Sequence, residues 1–391
     1  MNKKLSLAVA SAVMAFGASA ANAGIIIPAG DWTLDIGGVV NAYYTETRTT
    51  GKATGAAPLG IGSPSRSTSN ITTGLLPNYL SVSGKTREND LDVGFTISIN
   101  PGASTTQGGK QSAQQENRQA FLTFGDKSWG SIKLGKDLGI FASDAILNDM
   151  TLLGVGSGAG GLAGNTTTLG RIGTGFMYAD WKSQVAYTSP DWNGFNFTAG
   201  VTQAWNSVAA VQPGFTSARR GGASPAFEGK ASYSWAGDFA GKVWVSGIHQ
   251  KVDGANDSAD AVDIGANVNV AGFGLTGYYY DGSGIGQTIQ LFDGFDAAKK
   301  SRDSNGGYVQ ATYVIPTGTK LGISWGESNL DHNGGADAAN GDVTDKMWTI
   351  GAYHPLTKHL NLVAEYSDSK HEVGNSEGKA KTVSLGAILF F

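Results

Sequence analysis

The chain has 391 residues, 58 of them glycine and 38 aromatic, with 40% hydrophobic residues, a slightly negative mean hydropathy and no cysteine. Such a chain is too polar for a large conventional core yet too aromatic for disorder, and without thiols it has neither disulfides nor a thiolate metal site. Its 28 basic and 32 acidic side chains form no basic stripe, which excludes a nucleic-acid partner.

At the N-terminus, Lys3 and Lys4 precede an uncharged apolar run from Leu5 to Ala18, followed by Ala21-Asn22-Ala23. This pattern is a secretory signal peptide with an A-x-A cleavage site, so residues 1–23 are expected to be removed and the mature chain to begin at Gly24. Losing Lys3 and Lys4 leaves a net charge near −6. No later stretch reaches the roughly 18 apolar residues of a transmembrane helix.

Beyond Gly24 the recurring pattern is strict alternation, the period of a strand with one apolar and one polar face. Leu91, Val93, Phe95, Ile97 and Ile99 alternate with Asp92, Gly94, Thr96 and Ser98. Val262, Ile264, Ala266, Val268 and Val270 alternate with Asp263, Gly265, Asn267 and Asn269. The last stretch, KTVSLGAILFF, carries the same alternation to a terminal Phe391. Sixteen strands are predicted, over 32–45, 78–87, 91–100, 117–125, 131–136, 181–189, 195–203, 226–235, 240–250, 261–270, 273–280, 306–315, 319–326, 346–354, 359–367 and 381–391. The phase of 117–125 and 226–235 is indistinct.

Short connections at 88–90, 126–130, 190–194, 236–239, 271–272, 316–318 and 355–358 alternate with long polar ones at 46–77, 101–116, 137–180, 204–225, 251–260, 281–305, 327–345 and 368–380. This places every tight turn at one end of an up-and-down sheet and every long loop at the other. The predicted fold is therefore all-β: a transmembrane antiparallel up-and-down β-barrel of about 16 strands, with short periplasmic turns and long extracellular loops. In hydrocarbon each backbone N–H and C=O must pair internally, and a closed barrel leaves no open edge. Sixteen strands enclose a channel rather than a packed interior. Residues 24–391 form this one domain.

Several segments resemble the general porin family of Gram-negative outer membranes, trimeric sixteen-stranded diffusion channels. NRQAFLTFGDKSWGSIKLGKD (117–137) resembles the family's strand–turn–strand signature, and Tyr187-Thr188-Ser189-Pro190 with Gly194-Phe195 resembles its Tyr-x-Ser-Pro turn. FASDAILNDMTLLGVGSG (141–158) resembles the family's third loop, which folds into the lumen; Asp144-Ala145-Ile146 and Asp149-Met150 match its acidic steps. The resemblance makes 137–180 the constriction loop, Asp149 and Asp144 its acids, and Arg118 the leading wall base. Lys85, Arg87, Lys133, Arg171 and Lys182 are further candidates for the pore constriction. The family's second loop acid is replaced by Leu152-Leu153-Gly154, and Tyr79 stands where many members carry an arginine, so no selectivity sign is assigned. The terminal Phe391 resembles the signal read by the outer-membrane assembly machinery.

Other chemistry is set aside. Gly156 to Gly161 match G-x-G-x-x-G but lie in a Gly-rich loop rather than between a strand and a helix, so no cofactor is expected. The five histidines have no metal-ligand spacing, and no nucleophile with a fixed base stands out, so the chain is not read as an enzyme. Acid-rich 253–263 and 293–307 do not match a calcium loop and read as solvated. The expected function is passive diffusion of ions and small hydrophilic solutes through the outer membrane of a Gram-negative cell. The alternatives are a substrate-specific channel with an aromatic or charged track, and a closed barrel serving as an adhesin or anchor. Expected partners are two further copies in a homotrimer, outer-membrane lipid and lipopolysaccharide, and the assembly machinery.

Overall fold

The computed structural model describes residues 24–51, 65–103, 115–158, 167–205, 224–335 and 337–391; the expected signal peptide and part of the G-x-G-x-x-G run, 159–161, lie outside them. Nineteen strands among the described residues form one antiparallel sheet. The first half holds β1 (Ile25–Ala29), β2 (Trp32–Gly51), β3 (Arg66–Thr72), β4 (Tyr79–Glu88), β5 (Leu91–Pro101), β6 (Gln115–Glu116), β7 (Ala120–Asp126), β8 (Gly130–Leu138) and β9 (Trp181–Thr188). There follow β10 (Phe195–Thr202), β11 (Ala226–Trp235), β12 (Phe239–Lys251), β13 (Ser258–Val270), β14 (Phe273–Ser283) and β15 (Asp303–Val314). The last are β16 (Lys320–Leu330), β17 (Val343–Pro355), β18 (Leu360–Val373) and β19 (Ser376–Phe390).

Sixteen of these are wall positions. β4 and β3 pair with successive parts of the same edge of β2, so they are one wall strand interrupted at 73–78. β6 and β7 divide the next edge of β5 in the same way. β1 pairs with residues 32–36 of β2, on the edge that β19 occupies from Val39 upward. Pairing of β19 with β2 closes the barrel, and all sixteen predicted strands are present.

The differences lie at the ends. The connection expected over 368–380 is only Gly374-Asn375, because β18 and β19 stay in register to Val373↔Ser376. Lys370 bridges Glu372 (2.8 Å) and Glu377 (2.7 Å), and Lys379 meets Glu377 at 2.7 Å. A cross-strand charge ladder of this kind supports a hairpin while reading as a polar loop in the sequence. The connection between β12 and β13 likewise shrinks to 252–257. At the opposite end, the two-residue turns Asn89-Asp90 and Ala271-Gly272 have positive φ at both residues, the geometry whose twist matches that of the strands they join.

Two local irregularities shape the interior. From Asn100↔Glu116 to Ile97↔Ala120, β5 advances three residues while its partner advances four. This bulge before β7 is why the alternation over 117–125 has no clean phase. At 73–78 the wall strand leaves the ladder, and Asn41 takes over its backbone bonds. Its amide N–H donates to Asn78 Oδ1 (2.6 Å), its Nδ2 donates to the Leu76 carbonyl (2.9 Å), and its Oδ1 accepts from Gly74 N–H (2.9 Å).

The outward face is apolar and open: Val262, Ile264 and Val309 are 60%, 61% and 59% exposed. The inward face is mostly polar. One lateral row of Lys242, Asn267, Thr276, Gln310, Ser324, Thr349, Ser367, Thr382 and Thr47 runs from β12 around to β2. The expectation of no sizeable core is corrected here. Infolded loops pack Phe141, Ile146, Ile172, Phe176, Met177, Ile285, Ile289 and Leu291 against Trp244, Tyr278, Tyr280 and Tyr308 of the wall, forming a buried apolar cluster inside the barrel.

Candidate functional site

The segment 139–180 leaves β8, and its described residues are gripped by inward wall side chains. Its base is closed by Gly139 N–H donating to the Asp180 carbonyl at 2.7 Å. At its start Glu228 Oε2 on β11 accepts the amides of Ile140 (2.7 Å) and Phe141 (2.8 Å). A short helix, α1 (Ser143–Asn148), follows, and Tyr308 on β15 donates to its Ala145 carbonyl at 2.8 Å. Gln310 accepts Met150 N–H (2.7 Å) and donates to the Asn148 carbonyl (3.1 Å). A 3₁₀ turn, Met150–Leu153, seats Met150 over Gly322, where an added Cβ would lie 2.6 Å from its sulfur.

The middle of the segment is held just as firmly. Tyr43 donates to the Leu153 carbonyl at 2.7 Å, and Glu365 Oε2 on β18 accepts the amides of Val155 (2.7 Å) and Gly156 (2.9 Å). Leu75 N–H, from the break in the wall, donates to the Gly154 carbonyl at 2.8 Å. Residues 140–156 therefore lie on the inner wall from β11 round to β2, and two buried carboxylates take the backbone amides that no ladder satisfies.

The sequence-derived candidates divide between loop, wall and rim. Asp149 is 1% exposed and caps the 3₁₀ turn, accepting from Thr151 N–H (3.1 Å) and the Thr151 hydroxyl. Arg171 is fully buried in the same loop, its Nε 3.8 Å from Asp149 Oδ1, and it donates to the Met347 carbonyl (3.0 Å) and the Ser324 hydroxyl. Asp144 is bridged by Lys230 (3.1 Å) on β11 and by Lys242 on β12. Burial raises the Asp149 carboxyl above its ordinary value against the pull of Arg171. At Asp144 the burial effect is outweighed by the two lysines, which hold the carboxyl below the ordinary value.

Arg118 sits in the bulge, 5% exposed, with Nε donating to Glu116 at 2.7 Å and its guanidinium 5.7 Å from the Trp181 ring centroid. Lys182 is fully buried and ion-paired with Glu228 at 2.5 Å. Lys133 faces inward, paired with Asp137 and 4.9 Å from the Phe121 ring centroid. Lys85 is exposed on β4, opposite Thr33 and Gly94. Arg87 is at the short-turn rim, meeting Asp92 at 2.8 Å and Asp126 at 2.9 Å. Phe391 pairs through its backbone with Gly38 in both directions, at 2.7 and 3.1 Å.

The structure thus joins Asp149 to Arg171 within the loop, and joins Asp144 and Lys182 to partners that sequence reasoning did not single out. Glu228, Glu365, Lys230 and Lys242 were readable only as polar positions on alternating strands. The phase at 226–235 was indistinct because Gly229 and Ala231 replace large outward residues. Among the described residues no group of three or more His, Asp or Glu could hold a metal ion.

The profile of the Gram-negative porin family matches residues 9–373. A search of curated proteins finds no match. Among solved structures, the outer-membrane channel DcaP of Acinetobacter baumannii superposes with a TM-score of 0.68 at 17% identity, covering 94% of this chain and 100% of that one. The anion-selective porin from Comamonas acidovorans gives 0.63 at 15% identity, with 92% and 100% coverage. The trimer form of OmpT, an outer-membrane protein of Vibrio cholerae, gives 0.54 at 14% identity, with 92% and 99% coverage.

Proposed function

This chain belongs to the Gram-negative porin family, the barrel-forming channels of the outer membrane, and from that premise we propose that it conducts ions and small hydrophilic solutes by passive diffusion. The observation that carries the reading is the tethering of 139–180 to the inner wall by Glu228 and Glu365. A loop fixed at its start and its middle narrows a lumen without filling it by chance motion, which is what a size-limited passive channel requires. The passage is assigned to the space facing β4–β8, where Ser81, Ser83, Lys85, Thr123 and Lys133 are half-buried or exposed on the inner face.

The site residues keep their proposed roles in modified form. Asp144 and Asp149 shape the constriction mainly by fixing the loop, Asp149 paired with the buried Arg171 and Asp144 with the half-buried Lys230 and Lys242, while Lys85 and Lys133 are the charges closest to the solute path. Assembly as a homotrimer, insertion with short turns towards the periplasm and long loops outward, contact with lipopolysaccharide, cleavage after Ala23, and recognition of Phe391 by the assembly machinery complete the proposal. The trimeric OmpT structure supports the first of these by analogy.

Planar-bilayer recording of the purified protein tests the reading. Ohmic conductance that solutes do not saturate is expected. Saturable block by one solute class would replace passive diffusion with a specific channel, and no conductance at all would refute the reading.

A further inference from the structure

A second loop also enters the barrel. Residues 284–291, following β14, are all buried, and they lie on 173–179, the limb by which the first loop returns to β9. Tyr178 N–H donates to the Thr288 carbonyl at 2.9 Å, and Gln290 Nε2 donates to the Ala179 carbonyl at 3.3 Å. The fit is close: a Cβ on Gly173 would lie 2.6 Å from Thr288 Oγ1. Gln287 Nε2 fixes the same stretch to the wall through the Ser328 carbonyl at 2.6 Å.

One arginine ties the outer part of this second loop to the next connection. Arg302, 5% exposed at the loop's end, donates to the Asp293 carbonyl (2.9 Å) and Asp293 Oδ1 (3.0 Å) within the loop. Its other face forms a two-point pair with Asp337 of the next connection, 2.9 Å from Nε and 2.5 Å from the terminal nitrogen. Asp337 in turn accepts Asn333 N–H at 2.8 Å. A planar guanidinium is the one side chain that can clamp two carboxylates in this way.

We infer that Arg302 is a positioning residue for the channel: it clamps the second infolded loop onto the return limb of the first, so that two stacked loops set the size limit of the pore. This rests on the porin reading above. Among the described residues no hydrogen bond or ion pair joins Arg302 to the first loop; its effect passes through Ile289, Gln290 and Thr288 to Tyr178 and Ala179.

The test compares wild type, Arg302→Ala, Arg302→Lys and Gln290→Leu in bilayers and in liposomes swollen by neutral sugars of increasing size. A heat-modifiable band on gels shows which variants hold a closed barrel. Arg302→Ala is expected to raise conductance by about twofold and to admit larger sugars. Arg302→Lys, with one point charge for a fork, should fall between it and wild type. Gln290→Leu, which breaks the contact at the other end, should repeat the Arg302→Ala effect in a barrel with Arg302 intact. Trypsin, cutting at the exposed Lys299 and Lys300, should nick folded Arg302→Ala faster than wild type. Wild-type conductance and size limit in both Arg302→Ala and Gln290→Leu would overturn the inference. A wild-type protein that does not conduct would overturn the porin reading instead, and the trypsin comparison would still decide the clamp.

Discussion

Glu365 Oε2 accepts the Val155 amide at 2.7 Å across 210 residues of sequence, and its Oε1 accepts the Tyr353 hydroxyl at 2.6 Å. A carboxylate can accept from Val155, Gly156 and Tyr353 together; a carboxamide turns one of those acceptors into a donor. Glu365→Gln should therefore weaken the loop's far tether by about 1.5–3 kcal/mol for a charge-assisted bond. The expected result is a barrel of normal yield with noisier open-channel current, while Tyr353→Phe gives a milder version. Quiet wild-type recordings from Glu365→Gln would show that the tether does not fix the loop.

The Asp149–Arg171 pair makes a different prediction. Both groups are buried and 3.8 Å apart, so removing one leaves the other uncompensated, a loss on the order of 3 kcal/mol. Asp149→Asn should lower the unfolding temperature in detergent, and the double variant Asp149→Asn/Arg171→Met should recover much of it. Cation/anion permeability should shift little, because neither group is exposed to the solute path. A large selectivity change with unaltered stability would place Asp149 at an open constriction.

How far these residues could be read from the sequence follows from the range of the forces involved. Alternation is local, so each wall strand was visible, and with it the inward direction of Glu365 between Ala364 and Tyr366. What Glu365 meets was not visible, because Val155 comes to it only when the barrel closes and the loop turns inward. The inward break at 73–78 was hidden for a related reason: TGLLPN has turn residues and a proline, and the bonds that tie it to the wall come from Asn41, over thirty residues earlier. The β18–β19 hairpin was read as a loop because its stabilising charges point outward beyond the apolar band, where strand and loop have the same composition. The clamp at Arg302 lay in a stretch read as solvated acid, since the pairing with Asp337 spans a whole hairpin.

Asp180, at the base of the first loop, supplies a pH dependence. Burial pushes its carboxyl up from 3.8 to about 6, against the Trp181 amide and the charges of Lys182, Arg118 and Lys136. The folded protein holds this proton more tightly than the unfolded chain. The stability it contributes is therefore complete below about pH 4 and lost as pH rises through 6. Purified barrels should therefore gain unfolding temperature between pH 7 and pH 5. Thermal unfolding in detergent across this range measures this, and Asp180→Asn should remove the pH dependence. A dependence that persists in Asp180→Asn would assign it to another group.

At the closure of the barrel, Phe391 exchanges backbone bonds with Gly38, and its ring lies where a Cβ on Gly38 would be 2.7 Å from Cζ. Address and closure can therefore be separated. Deleting Phe391 removes both the terminal aromatic and two bonds of the last ladder step. Gly38→Val keeps the terminal residue but displaces its ring from the wall and strains the β2–β4 ladder, since the same Cβ would lie 2.3 Å from the Tyr79 carbonyl oxygen. If Phe391 acts chiefly as an assembly signal, its deletion should cut the amount of inserted protein far more than Gly38→Val does, while channels that do insert conduct normally in both. If closure dominates, the two variants should lose heat resistance on gels to a similar degree and insert equally poorly. Quantitative blotting of outer-membrane fractions beside the gel shift distinguishes the two, and equal insertion of the deletion and wild type would remove the assembly role.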